Sequence, residues 1–167
     1  MIDQLRTYLE QFVALHHSIE PDRKMRFACI EDLILQHGSE YILSHVKHPA
    51  QPSGCFARAY RLATRYPHRW IYVEGYALAP GVPIPLQHAW VSPVDSPGTA
   101  VELAWGKPNQ APAYLGVPFK PSYIKSVFIA SKRQWLSALD TFWLRYPLIT
   151  GKVRIEDVIY KGDQPHG

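Results

Sequence analysis

The chain has 167 residues, 47% hydrophobic and 19% charged, proportions that suit one domain with a full apolar core and exclude a disordered or low-complexity polymer. Two cysteines are too few for a disulfide scaffold, and no apolar run approaches the roughly 18 residues that cross a bilayer. The net charge of +4 is spread over residues such as Arg23, Lys24, Arg58, Arg61, Lys120, Lys132 and Arg133 with no run longer than two, which argues for a solvated surface and against a nucleic-acid face.

The apolar positions Ile2, Leu5, Leu9, Phe12 and Val13 recur at steps of three and four, so residues 2–19 are expected to form an amphipathic helix. Its start carries Asp3 and Glu10 where a signal peptide would be basic and then apolar, and a cytoplasmic location is expected. After Pro21, Asp22 is positioned to cap a second helix over 23–36, with Met25, Phe27, Ile30, Leu33 and Ile34 inward and Gly38 as its stop. The stretch HPAQPSG at 48–54 reads as a loop, and Ser53 can cap a third helix of about eleven residues that begins at Cys55 and ends before Pro67.

Beyond Pro67 the aromatic and β-branched residues Trp70, Ile71, Tyr72, Val73 and Tyr76, then Ala89, Trp90 and Val91, predict two strands. SPVDSPG at 92–98 is a turn, and Ala100–Trp105 is expected to be a third strand of a meander. The four prolines between Gly106 and Pro121 predict an irregular surface segment, and 123–130 a further strand. Ser131 is expected to cap a last helix carrying Trp135, Leu136, Leu139, Phe142 and Trp143. The expected organisation is a single domain over 1–167: a helical part to 47, a core over 51–130, and a C-terminal helix and tail over 131–160.

Three residue types in one order carry chemistry: Cys55 in SGCFARAY, His88 in LQHAWVS and Glu102 in VELAW. Cysteine nucleophiles react as thiolates, and a helix N-terminus and a nearby imidazolium both favour the ionised sulfur. A base must also be held in one tautomer, which is the task of an acid. Period-two alternation places Ala100, Glu102 and Ala104 on one face of the expected strand, where a carboxylate needs a partner and His88 can be one. Gly54, with no Cβ, lets a substrate approach Cys55. Cys29 falls inside a helical pattern and reads as a buried small hydrophobe. Metal binding is not expected, because no Cys or His pair near Cys55 has a spacing such as C-x2-C or H-x3-H, and no cofactor is implied.

The pattern GCF, then VEGY, HAWV and the acid in VELAW, over about residues 51–105, resembles the core of the transglutaminase-like superfamily, whose fold is related to papain. The resemblance implies an α+β domain in which the cysteine heads a helix packed on an antiparallel sheet. It implies a cysteine enzyme with catalytic Cys55, His88 and Glu102, acting on an amide or thioester through an acyl-enzyme as a peptidase, amidase, deamidase or acyltransferase, with a protein or peptide as substrate. Glu102 stands where that superfamily usually has aspartate, one methylene shorter. Gln51 and Gln87 are candidate oxyanion donors, and Trp90, on the face of His88, is the candidate flanking aromatic. The alternative is a non-catalytic protein- or peptide-binding module that keeps the fold.

Overall fold

The computed structural model describes residues 1–20, 24–44, 54–105, 112–132 and 137–162, with backbone alone at 143. Helix α1 (Ile2–Ile19) buries Leu5 and Leu9 on its apolar stripe, and α2 (Ile30–His37) buries Leu33 and Ile34. The second helix begins seven residues later than 23, because Cys29 is extended at its N-cap; 26–29 form a bend tied to the 147–150 turn by the Arg26 and Phe27 N–H groups donating to the Ile149 carbonyl. Strand β1 (Ser39–Leu43) follows at once. Helix α3 (Cys55–Arg65) runs as the sequence implies and buries Ala57, Ala59 and Ala63, small residues that let it lie close to the sheet.

Strands β2 (Trp70–Leu78) and β3 (Leu86–Pro93) form the expected antiparallel pair. The region after them departs from expectation. Strand β4 is only Thr99–Ala100; it pairs in parallel with β1, and Val101 bridges back to Val91 of β3. Residues 103–105 bend away. Within the proline-rich stretch expected to be irregular lies β5 (Ala113–Phe119), a central strand between β2 and β1. It tolerates Pro118 because β1 pairs with β5 only at Tyr114–Gly116, so the missing N–H falls beyond that ladder. The expected strand at 123–130 is helix α4 (Pro121–Ala130), with proline in its first turn, where its absent N–H costs nothing. Of the expected last helix, 133–136 lie outside the described residues; Phe142–Leu144 is a 3-10 turn and Phe142 is exposed, so no continuous α-helix carries Leu139 and Phe142. A short α5 (Ile155–Val158) follows.

The sheet order is β3-β2-β5-β1-β4, and the Val91–Val101 bridge joins its two ends, so the sheet curls almost into a barrel. Even-numbered residues of β2 and odd-numbered ones of β3 and β5 face the helices, forming a core with Leu5, Leu33, Ala59, Ile124 and Val127. The opposite face holds a second cluster to which every strand contributes: Tyr41, Val73, Trp90, Ala100 and Tyr114 among them. The fold is α+β. No helix among the described residues is long and apolar enough to cross a membrane.

Candidate functional site

His88 lies on the inner face of β3, one position from Ala89, which faces the helices. Its register partner on β2 is Gly75, and Gly75 is paired in turn with Gly116 of β5. Two glycines in a row across the sheet leave the space beside the imidazole free of side chains, and Trp90 fills it: a Cβ on Gly116 would stand 2.5 Å from a carbon of the Trp90 ring.

Glu102 reaches this face from the strap after β4. Its Oε2 accepts from His88 Nε2 at 2.9 Å and from the Tyr114 hydroxyl at 2.8 Å. Its Oε1 accepts from the backbone N–H groups of Leu103, Ala104 and Trp105 at 2.9, 2.7 and 3.1 Å. The bend at 103–105 thus wraps the carboxylate in donors. Ala100 and Glu102 share one face and Val101 and Leu103 the other, as alternation implies; the bend breaks the pattern, and Trp105 joins the inner cluster to stack on His88 with ring centroids 4.2 Å apart.

Burial works to raise the Glu102 carboxyl and to lower the imidazole, but their mutual hydrogen bond and charge overrule it. Glu102, with the N–H groups of Ala104 and Trp105 helping, is held down at about 2. His88, to whose basicity the nearby Cys55 side chain also contributes, is raised to about 9. With Nε2 committed to Glu102, Nδ1 is the ring nitrogen left for the sulfur. The pair His88 and Glu102 is almost fully enclosed, at 2% and 8% exposure, while Cys55 is half-buried.

Cys55 is the first residue of α3, where backbone N–H groups have no partner within the helix. Its N-cap is Gly54, not Ser53, which lies outside the described residues. Gly54 is left-handed at φ 77°, so the conformation favours glycine, and among the described residues nothing lies within 4 Å of a built Cβ there. Arg58, one turn on, donates to the Leu103 carbonyl at 3.4 Å and ties α3 to the strap that carries Glu102.

The remaining candidates fall differently. Gln51 lies outside the described residues. Gln87 is the register partner of Tyr76 and lies on the helix side of β3, away from the face of His88. Trp90 is fully buried, with its Nε1 unpartnered among the described residues; it supports the imidazole from within, and Trp105 is the aromatic in contact with the ring. Cys29 is an N-cap residue of α2 rather than a helix-interior one; it is buried, and burial pushes its thiol up to about 12.

Two polar side chains of the sheet take parts that the sequence does not assign them. Tyr114, the donor to Glu102, falls in the stretch whose prolines predict an irregular segment, although AYLGVPF carries the apolar density of a buried strand. Glu74 lies in the middle of the apolar strand WIYVEGYAL, itself a signal. It is buried and receives the Tyr72 hydroxyl at 2.7 Å, the Ser137 hydroxyl, and the N–H groups of Ala138 and Leu139 at 2.7 and 3.2 Å. Burial raises its pKa against those bonds. It fastens the 137–139 segment to β2.

Compared with protein-family models, with curated proteins and with solved structures, the chain matches none.

Proposed function

We propose that the protein is a cysteine-dependent acyl-transfer enzyme with a papain-like, transglutaminase-type core, in which Cys55 is the nucleophile, His88 the base and Glu102 the orienting acid. The observation that supports this most is that His88, hydrogen-bonded to Glu102, also has its basicity raised by the nearby Cys55 side chain, with the sulfur at a helix start and half-buried while the other two are enclosed. A purely structural histidine and glutamate would not need a thiol there.

In this reading the thiolate attacks the carbonyl carbon of an amide or thioester, forming a carbon–sulfur bond. The negative oxygen that develops is met by the backbone N–H of Cys55 at the helix start. His88, carrying the proton taken from the thiol, gives it to the leaving amine or thiol as the tetrahedral intermediate collapses, and then activates water or an amine to release the acyl group from Cys55. Glu102 remains ionised and keeps the imidazole in register. The substrate is a protein or peptide, and the location cytoplasmic.

The test needs no known substrate. Iodoacetamide at about pH 6, where an unperturbed thiol is almost wholly protonated, followed by intact mass, is expected to give one adduct that Cys55→Ala abolishes, while buried Cys29 stays unmodified. Equal and slow labelling of both thiols would overturn the enzyme and leave a peptide-binding module.

A further inference from the structure

A second set of donor side chains converges where the end of α1 meets the start of α2. His16 lies in the last turn of α1, Cys29 caps α2, and Glu31 is in its first turn. One imidazole nitrogen, the thiol sulfur and one carboxylate oxygen all lie within 4.8 Å of one another. Cys29 and Glu31 are buried, at 6% and 7% exposure, and His16 is half-buried. All three line a cavity of about 360 Å³ that Asp140 and Tyr146 also border.

The geometry points to a binding site for a divalent transition metal, Zn²⁺ by its chemistry, held by His16, Cys29 and Glu31 with the fourth position open to the cavity. Thiolate, imidazole and carboxylate are the donors zinc takes, whereas Ca²⁺ and Mg²⁺ prefer oxygen alone. Bond lengths of about 2.0–2.3 Å put tetrahedral donors about 3.5 Å apart, so the three side chains need only draw in by rotamer adjustment. Glu31 is already oriented from behind, since the Tyr76 hydroxyl donates to its Oε1 at 2.5 Å; this is the outer-shell bond that fixes a ligating carboxylate. The cavity gives a water room at the fourth position, and the carboxylate of Asp140 on the wall is an acceptor for it. The ligands come from two helices, so no short sequence spacing announces them.

The experiment uses the full chain as Cys55→Ala, so that Cys29 is its only thiol, freed of metal and titrated with Co²⁺. The expected result is a near-ultraviolet thiolate-to-cobalt charge-transfer band that saturates at one equivalent and disappears on adding Zn²⁺. Cys29→Ser should remove the band. His16→Gln, a change at a half-exposed position, should keep the circular dichroism of the parent and weaken Co²⁺ by about tenfold or more, at least the loss seen when an outer-shell partner is removed. Absence of the band, or a band of unchanged affinity in His16→Gln, would overturn the site.

Discussion

Tyr114 and His88 donate to the same oxygen of Glu102, one from β5 and the other from β3, at 2.8 and 2.9 Å. The acid of the candidate triad is therefore held by a side chain from the sheet's centre as well as by its own strap. Tyr114→Phe keeps the ring that packs on Trp90 at 5.1 Å and removes only the hydroxyl. Because the acceptor is ionised, we expect a loss of about 1.5–3 kcal/mol of stability, read from the urea midpoint at constant slope.

Glu102→Gln removes the negative charge beside the imidazole. The imidazole loses the hydrogen bond and charge of Glu102, two of the causes that raise its pKa, and that pKa falls. Alkylation of Cys55 at about pH 6 should slow by roughly tenfold, about 1.4 kcal/mol, and the rate profile should move to higher pH. An unchanged profile would separate Glu102 from the chemistry.

The same pair sets a dependence of stability on pH. His88 is raised from 6.5 to about 9, so its contribution is fully present below about 6.5 and is lost as pH rises through about 9. Glu102 is lowered from 4.5 to about 2, so its contribution is present above about 4.5 and is lost as pH falls toward about 2. For these two groups, stability should be greatest between those limits and decline on both sides. Denaturant midpoints measured across the range in wild type and Glu102→Gln should show both slopes reduced in the variant.

Gly116→Ala should be among the most damaging single-carbon changes in the sheet. The added methyl would meet the Trp90 ring at 2.5 Å and the Glu74 carbonyl at 2.8 Å, and the ring is fully buried among Tyr41, His88 and Tyr114. Overpacking of this kind costs about 1–3 kcal/mol. Adding Trp90→Phe should recover part of the loss, so the double variant should be more stable than the sum of the singles, and a purely additive result would remove Trp90 as the obstacle.

Glu74→Ala leaves the N–H groups of Ala138 and Leu139 without their acceptor beside β2. We expect about 3 kcal/mol of destabilisation from the unpaired donors and the lost packing, and faster hydrogen exchange at 138 and 139 before exchange rises in β2. Uniform acceleration throughout the sheet would instead mean that the carboxylate supports the core as a whole.

Strong periodicity made α1, α3, β2 and β3 legible, and with them the places of Cys55 and His88. Context overrode local pattern elsewhere. β5 is buried on both faces and carries Gly116 and Pro118, so neither alternation nor β-propensity marks it, and the bond from Tyr114 to Glu102 is not legible there. SYIKSVFIA alternates and is β-branched, yet Pro121 starts a helix there whose Tyr123, Ile124 and Val127 reach the core. Cys29 looked helical because Phe27 and Ile30 fit a 3.6 period, although only the part after it winds. Glu102 was placed on the correct face by counting in twos, but the bend that turns three N–H groups toward it depends on tertiary closure that no local pattern encodes.

The bridge from Val101 to Val91 bears on how a polypeptide could reach the thiol. Many peptide-binding domains accept a ligand by letting it add a strand to an open edge. Here the chain's own 101–102 segment meets the outer side of β3 at the Val91–Val101 bridge and the His88–Glu102 bond, so a strand adding along β3 past His88 would have to displace it. In the proposed reading, a substrate would come across the start of α3, over Gly54, and be recognised by what surrounds its reacting side chain or end rather than by ladder pairing. At that point the edge also offers no free template for edge-to-edge aggregation.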